Sequence, residues 1–404
     1  MTTEKLYGSS PGDVTFAAPS WELGAFDGAP SVILPHTLFY PESGGQLGDR
    51  GTLDIGGVAV PVLDTRIDDA GIIHHRVAAP PAAEPGPVVG TLDADRRRDQ
   101  TTQHTAQHAL SQALYRAARA ETVSARLGES TSTIDVDVAA LGDAPLHDAE
   151  DRVNAVVRDD APIAVTFPTE AELRALPLRR APKVASGVRV VSIGDFDVTP
   201  CGGTHLASAG RMGYVHVVGV ERYKGGTRVT FVAGARAVAH GRATTATLGA
   251  LARSLTCGPE DIASQLDKLR AELDLARAAR GSLQGELART LAALHLSKTP
   301  EQSGAPTVVA VARERADVGL LRALAGALTE RPDVVAVCVA RDGDGCPIVV
   351  QRGARAAVDC GRLLKEITQK LGGRGGGRPE RAEGRVGDVA PELVVELAKS
   401  LPFT

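Results

Sequence analysis

Two short pairs of metal-binding side chains carry the clearest chemistry in this sequence. His104 and His108 lie four residues apart in QTTQHTAQHALSQ. On a helix that spacing puts both imidazoles on one face, about 5–6 Å apart at Cβ, where they can share one tetrahedral zinc. Alone, the pair reads equally well as two packing histidines. It is not the H-E-x-x-H of zinc proteases, because Thr105 follows His104 and Gln107 cannot serve as a general base. Cys201 and His205 form the second pair, in CGGTH after Pro200. Two glycines let the chain turn sharply enough for thiolate and imidazole to converge, although an incidental Cys and His in a glycine turn would look the same. The two pairs together are far more specific. The chain has only 10 His and 5 Cys, and three imidazoles with one thiolate suit zinc in softness and geometry. One zinc ion per chain, held by His104, His108, Cys201 and His205, is the expectation. A third feature is PESGGQLGDRG at 41–51, four glycines with Gln46 and Asp49. Its backbone could approach a ligand closely, but a plain hairpin turn explains it as well, and no strand–helix context makes it a dinucleotide loop.

The elements that must position these residues follow from pattern. Short strands bounded by Gly, Pro or Asp are expected at 13–17, 31–34, 51–55, 58–63, 71–77 and 88–92, and this spacing suggests a small antiparallel barrel. The segment AAPPAAEPGP at 78–87 is a surface loop. Residues 103–118 lack Gly and Pro and are rich in helix formers. Strands at 132–138, 163–167, 188–193, 214–220 and 228–233, with a helix at 146–158, make an α+β domain. Ile262, Leu266, Leu269, Leu273 and Ala276 are spaced as a heptad seam; Gly281 interrupts, and Leu283, Leu287, Leu291 and Leu294 continue. One kinked helix or a hairpin would fit. After the linker SKTPEQSGAP, strands at 307–312, 334–339 and 347–351 alternate with helices at 317–329, 357–371 and 391–401, which suggests a small α/β domain. The glycine cluster LGGRGGGR at 371–378 reads as a turn.

Composition sets the limits. At roughly 100–200 residues per domain, 404 residues make two to four domains. With 43% hydrophobic residues and a mean hydropathy of −0.04, the chain can bury real cores. No apolar run reaches the ~18 residues of a membrane span, and MTTEKLYGSSPGD has no basic and apolar leader, so neither a membrane partner nor a secretory signal is expected. A net charge of −4 excludes a wholesale polycation but not a local basic face. At 3% aromatic, an RNA-stacking platform is disfavoured. An odd, scattered cysteine count is no disulfide framework and points to a reducing cytoplasm. Cys257, Cys338, Cys346 and Cys360 show no ligand spacing and read as packing thiols.

The zinc pairs, taken with FYPESGGQ at 39–46, resemble the editing part of alanyl-tRNA synthetase and its free-standing relatives, the AlaX trans-editing proteins. Their pattern is a glycine-rich FYPxGGGQ-x-x-D-x-G motif, then H-x-x-x-H, then CGGTH. Ser43 replaces the first glycine of the AlaX form, as the synthetase version tolerates. The likeness extends through VRVVSIGDFDVTPCGGT at 188–204 and through 225–234, and the tail with GGRGGG at 372–377 is similar to the synthetase's C-terminal domain. The resemblance implies a long-form AlaX protein, with no aminoacylation or ATP module expected ahead of residue 1. The architecture expected is therefore α+β and multidomain: a small N-terminal β-barrel (1–95), an α+β zinc-binding editing domain (96–250), a helical connector (251–300) and a C-terminal small α/β domain (301–404).

The implied reaction has a physical motive. An apolar pocket rejects an added hydroxyl by only ~10²-fold, so charging an alanine tRNA with serine is an expected error. A second site that requires the hydroxyl through polar contacts can correct it. The resemblance implies a zinc-dependent deacylase for seryl-tRNA(Ala), with the glycyl ester as a second substrate. Zinc could orient the seryl amino group, or bring a bound water's pKa towards ~7. Four protein ligands would close its shell, so one of them, His205 foremost, is expected to bind weakly. Gln46 is carried over as a contact to the aminoacyl end. Thr122 and Ser124, just after the zinc helix, could read the substrate hydroxyl, or be surface hydroxyls. Asp195 and Asp197 could orient an imidazole, though strand-end solvation explains them more simply. Lys224 and Arg228 flank a glycine pair and could touch the tRNA acceptor end, or form a charged hairpin. Arg374 and Arg378, within a run of seven bases from Arg362 to Arg385, could hold phosphates; a solvated face is the plainer reading. Arg96, Arg97 and Arg98 could meet a phosphate or mark a domain edge. The 262–294 seam could pair two copies, and the resemblance favours a homodimer through the C-terminal half. The rival reading is a non-catalytic module that binds tRNA or a synthetase and carries a structural zinc.

Overall fold

The structure is a computed structural model and describes residues 3–9, 12–182, 184, 187–300, 305–343 and 345–401. The chain packs as two compact units, Met1–Ala250 and Leu251–Thr404.

The N-terminal strands form two four-stranded antiparallel sheets. One runs Thr15–Ala18, Val88–Leu92, Gly51–Ile55, Val58–Val62, and the other Glu22–Phe26, Ala29–Ile33, Ile73–Arg76, Asp64–Ile67. The chain steps from the first sheet to the second between Ala18 and Glu22, and again at Leu63. Among the described residues no ladder joins the sheets, so the expected barrel is a pair of sheets sharing one core of Trp21, Val32, Leu34, Phe39, Leu53 and Ile55. Strands of four or five residues are too short to bend round and close; they turn corners between sheets instead.

His75 sits at the centre of this core, fully buried. Its Nδ1 lies 2.9 Å from the Val32 carbonyl, its Nε2 2.8 Å from the Thr37 hydroxyl, and the Phe39 ring meets it edge-on at 5.1 Å. Burial pushes its pKa down to about 4. The unfolded chain therefore takes up a proton here between about pH 6.5 and 4 that the folded chain refuses, so stability is lost as pH falls through that window. The loss expected from this group is about 3 kcal/mol. Urea unfolding at pH 7.5 and 4.5 checks it: His75→Gln should flatten the acid fall, and an equally steep fall in the variant would exclude His75 as the cause.

Five helices follow from here to the long connector. Helix α1 (Ala94–Ala118) starts nine residues earlier than its Gly- and Pro-free run implies, because Asp93 caps it by accepting the Arg96 backbone N–H. It is buried along most of its length, yet Thr101, Thr102, Gln103, His104, Thr105, Gln107 and His108 are all polar. A buried helix of that composition needs partners for its side chains; Thr102, Gln103 and Gln107 find them in Arg98, Ala233 and Ser111, and Thr101, His104, Thr105 and His108 find them around the CGGTH turn. With α2 (Asp143–Arg158) it packs on an antiparallel sheet ordered Thr122–Leu127, Ser132–Val136, Gly226–Ala233, Val215–Tyr223, around Leu110, Leu114, Ile134 and Phe231. A three-stranded sheet, Ile163–Thr166, Val190–Ile193, Asp197–Pro200, delivers the CGGTH turn from its last strand. A short helix, α3 (Glu170–Ala175), lies between its first two strands, and α4 (Ala235–Leu255) leads on from the sheet.

In the second unit α5 (Ile262–Ser297) is one unbroken helix of 36 residues. Gly281 costs about 1 kcal/mol there relative to Ala and does not stop it. A five-stranded sheet is ordered Thr307–Arg313, Val334–Ala340, Cys346–Arg352, Arg381–Val386, Arg374–Arg378. Only the first pair is parallel, joined through α6 (Val318–Leu328), so the sheet is mixed. Helices α7 (Cys360–Lys370) and α8 (Pro391–Ser400) pack against it. The glycine cluster is not a turn but the edge strand. A Cβ at Gly375 would lie 2.7 Å from Gly384 Cα, and one at Gly377 2.3 Å from the Arg381 carbonyl oxygen; the glycines let two strands approach. Cys338, Cys346 and Cys360 are buried, and burial raises the Cys338 and Cys360 thiols to about 12, as packing thiols require.

Candidate metal centre

Helix α1 presents His104 and His108 with ring centroids 5.1 Å apart, and the CGGTH turn brings His205 to 4.5 Å and 4.6 Å from them. The Cys201 Sγ lies 3.4 Å from both His104 Nε2 and His205 Nε2. One ligand atom from each of the four residues falls within 4.8 Å of all the others. The sequence-predicted ligand set is thus assembled in one place.

What holds these rings is as informative as the ligands. The Gln46 carbonyl oxygen is 2.6 Å from His104 Nδ1, Thr105 Oγ1 is 3.4 Å from His205 Nδ1, and Asp197 Oδ2 is 3.4 Å from His108 Nδ1. Each imidazole has an oxygen within 3.4 Å of its Nδ1, which leaves Nε2 for the centre, the arrangement metal-binding histidines use. Gln46 Oε1 also accepts the Thr204 N–H at 3.2 Å, its Nε2 donates to Thr204 Oγ1 at 2.8 Å, and the residue is fully buried. In this structure its amide bonds to Thr204 and holds His104 from behind. Gln46→Ala is accordingly expected to weaken metal binding by about 10–100-fold, read by competition with a chromophoric chelator. An unchanged affinity would remove Gln46 from this role.

The turn is pinned too. Arg189 Nη1 donates to the carbonyls of Cys201 and Gly203 at 2.8 and 2.9 Å. A Cβ at Gly203 would stand 2.0 Å from His104 Cε1, so only glycine lets the turn pass over the ring. Asp197, weighed above as a strand-end acid, is buried and paired with Arg179 at 2.7 Å. Burial would raise its carboxyl, but the hydrogen bond to His108 and the Arg179 charge hold it down to about 2. Asp195 instead offers its carbonyl to Arg116, at 3.3 Å.

The shifts at Cys201 and His205 fit a metal, whereas at His108 burial is outweighed by the Cys201 thiolate and Asp197, which raise the imidazole's pKa. Burial raises the Cys201 thiol, yet the three imidazoles bring it well below its ordinary value. Burial, and then His104, lower His205 to about 3. Thiolate and neutral imidazole are the ligand forms zinc needs, and three nitrogens with one sulfur fit zinc rather than magnesium or calcium. His104, His108 and His205 are buried, while Cys201 is half-buried. The accessible side lies at Cys201, not at His205, the ligand expected to be loosest.

Other sequence candidates lie elsewhere. Ser124 Oγ donates to Asp135 at 2.6 Å, and Arg228 closes a two-pronged pair on the same carboxylate at 2.6 and 2.9 Å with its guanidinium 3.4 Å over the Tyr223 ring. Lys224 takes a left-handed φ of 48° in a two-residue turn with Gly225, as such hairpins require. Ser124, Lys224 and Arg228 share one cleft of about 630 Å³. Thr122 is on the same strand but outside the cleft lining. Among the described residues none of the four hydrogen-bonds a metal ligand. Arg96 and Arg97 are structural: Arg96 pairs with Glu129 at 2.8 Å, and Arg97 is buried against Asp49. Arg374 and Arg378 are exposed on the edge strand of the second unit, and among the described residues neither has an acidic partner. Sequence reasoning missed Arg179, Arg189 and Thr105 and read Arg97 only as part of a basic run, because their roles depend on partners far away in the chain.

Comparison with known proteins gives this arrangement a family. The model for the threonyl and alanyl tRNA synthetase second additional domain matches residues 188–230, which include the CGGTH turn, and the DHHA1 domain model matches 304–401. The alanine–tRNA ligase of Frankia alni is 33% identical over 378 residues, 88% of this chain and 42% of that protein. Those of Halorubrum lacusprofundi and Thermococcus kodakarensis are 31% and 32% identical, covering 95% and 92% of this chain and 42% and 41% of theirs. The chain thus spans about two fifths of the length of these relatives. The C-Ala domain of Aquifex aeolicus alanyl-tRNA synthetase is 29% identical, with a TM-score of 0.22, and aligns with 24% of this chain and 94% of that domain. The chain therefore carries a DHHA1 domain and a stretch of the threonyl and alanyl tRNA synthetase second additional domain, and is related to alanine–tRNA ligases over about two fifths of their length.

Proposed function

We propose that the chain is a long-form AlaX-type trans-editing protein, a zinc-dependent deacylase that acts in the cytoplasm on tRNA(Ala) wrongly charged with serine or glycine. The observation that carries this reading is the cluster of four ligand atoms within 4.8 Å, each ring held at Nδ1. A zinc ion bound there would supply a fixed positive charge beside the aminoacyl ester, favouring its hydrolysis. His104, His108, Cys201 and His205 bind the ion; Gln46, Thr105 and Asp197 orient the rings. Thr122 and Ser124 are proposed to meet the substrate hydroxyl, and Lys224 and Arg228, in the cleft at the Tyr223 hairpin, the acceptor end. No helix among the described residues is long and apolar enough to cross a membrane.

The test is a deacylation assay with seryl-, glycyl- and alanyl-tRNA(Ala), with and without chelator. Loss of the seryl and glycyl esters, with the alanyl ester spared, is expected. Equal loss of all three would defeat the editing claim, and full activity after verified metal removal would defeat the zinc role. One observation favours a second reading: four protein ligands can fill a tetrahedral shell. In that case the ion is structural, and the chain holds tRNA or a synthetase without hydrolysing anything.

Arg374 and Arg378 are proposed to contact tRNA phosphates. Replacing both with alanine should weaken tRNA binding and reduce the slope of log K against log salt by up to about 2. An unchanged dissociation constant would remove this strand from the contact. Self-association through the C-terminal half belongs to the same proposal.

A further inference from the structure

Arg189 has one edge of its guanidinium in use and the other without a partner. Its backbone carbonyl accepts the Cys201 N–H at 3.0 Å, and its Nη1 donates to the Cys201 and Gly203 carbonyls at 2.8 and 2.9 Å. The side chain is thereby fixed behind a metal ligand. Nε and Nη2, on the opposite edge, are shielded from solvent and find no hydrogen-bond partner among the described residues. Two parallel N–H groups there match two oxygens of one anion. Arg179 and Arg228 use this same edge on Asp197 and Asp135. No carboxylate serves Arg189 in that way: the charges acting on it come from Cys201, Tyr40 and Tyr7. Burial keeps both phenols protonated and neutral, and the thiolate belongs to the metal centre. A buried cation in that position calls for an anion from outside the chain.

The neighbouring groups suit one. The Tyr40 hydroxyl is spent on the Ser43 carbonyl at 3.0 Å. Tyr7, buried on the short turn Leu6–Gly8, meets the Tyr40 ring edge-on at 5.1 Å. Its hydroxyl makes no hydrogen bond among the described residues, and burial holds the phenol at about 12, so it remains a donor at neutral pH. With no bond to hold its hydroxyl, the ring can swing to admit a ligand and then donate to it. Cys201 marks the accessible side of the centre, so a ligand entering there meets the fork next.

Which anion follows from where the fork lies. With the ester at the ion, the amino acid's carboxylate is released at the ion too. The fork lies behind the Cys201 backbone, one step further off. In a tRNA the anion one ribose away from the terminal ester is the phosphodiester on that nucleoside's 5′ oxygen.

We propose that Arg189, with Tyr7, holds the phosphodiester of the tRNA's terminal nucleotide while the ester lies at the metal. This rests on the editing reading and names the part of the substrate that anchors it.

The test compares two ligands that hydrolysis cannot consume: 3′-(L-serylamino)-3′-deoxyadenosine, and the same compound carrying a 5′-methylphosphate. Each is titrated calorimetrically into the full chain loaded with zinc. The ratio of their dissociation constants isolates the phosphate, since general damage to the site weakens both alike. The phosphate should tighten binding by about 10–100-fold, as a charged, hydrogen-bonded contact does. In Arg189→Gln, whose amide can still donate to one carbonyl, that gain should fall below about threefold, and Tyr7→Phe should lower it by about fivefold. If Arg189→Gln does not fold, Arg189→Lys carries the comparison: it keeps a donor but has no fork, and the gain should shrink at least about threefold. An equal gain in variant and native chain overturns the proposal, as does no gain in the native chain. So does free serine losing affinity in Arg189→Gln while the phosphate gain stays, which would give the fork to the released carboxylate. If neither compound binds the native chain, the editing reading falls with the proposal. A phosphate gain that depends on Arg189, without deacylation of seryl-tRNA(Ala), would uphold the contact and defeat only the hydrolytic claim.

Discussion

Cys201→Ala is expected to lose its stoichiometric metal and at least about 10²-fold in seryl-tRNA(Ala) deacylation, while keeping its fold. Removing a thiolate takes away the softest donor and the only anionic one. Loss of supports one step further from an ion already costs 10–100-fold, so loss of a ligand should cost more. The fold should survive because the cores on either side, around Leu110 and Phe231 and around Trp21 and Phe39, close without the ion. Elemental analysis, a thermal melt and the deacylation assay on the same preparation read all three quantities. Collapse of the melt would assign the ion to structure and favour the non-catalytic reading. Undiminished turnover by a metal-free variant would end the zinc hypothesis.

Arg97→Ala should be the most damaging substitution for stability, at about 3–5 kcal/mol. Arg97 is 4% exposed and Asp49 1%. The guanidinium Nε lies 3.0 Å from Asp49 Oδ2, Nη2 meets the same oxygen, and Nη2 also donates to the Leu38 carbonyl at 2.5 Å. Asp49 accepts the Tyr40 backbone N–H at 2.7 Å. Truncating the arginine strands a carboxylate in the interior with one backbone donor. Two further variants separate the causes. Asp49→Asn added to Arg97→Ala should recover part of the loss, because the stranded charge is gone, whereas Arg97→Lys should recover little, lacking the planar fork. Urea midpoints measure each. A loss below about 1 kcal/mol for Arg97→Ala would show that the pair is not the buried tie it looks to be.

The four clustered side chains were legible in the sequence because candidate metal ligands keep local spacing: one helical turn between His104 and His108, one glycine turn between Cys201 and His205. The residues that make the ligands competent were not. Gln46 stands 58 positions from His104 and Asp49 48 from Arg97, and a polar side chain awaiting a distant partner looks like any surface residue. Gln46 was legible as part of a motif, but its hydrogen bonds to His104 and Thr204 were not, because both partners lie far along the chain. Asp197 was weighed for the right role and ranked below solvation, since nothing nearby announces Arg179. In the second unit the alternation of strands and helices was readable, but the glycines of 372–377 read as a bend because sequence shows their freedom and not the neighbouring strand they make room for. The heptad along α5 was plain; its continuity past Gly281 was not, because helix formers on both sides outweigh one glycine.

The grip of Gln46 on His104, and of Asp49 on Arg97, bears on how such a chain can be cut and inherited. A recombined gene that kept residues 96–250 but dropped the stretch before them would encode a helix with an unsecured imidazole and an orphaned internal cation. Neither half of that stretch is a module in the evolutionary sense. The seam along which this lineage could exchange parts lies after residue 250, so the half that carries the His and Cys cluster travels whole or arrives broken.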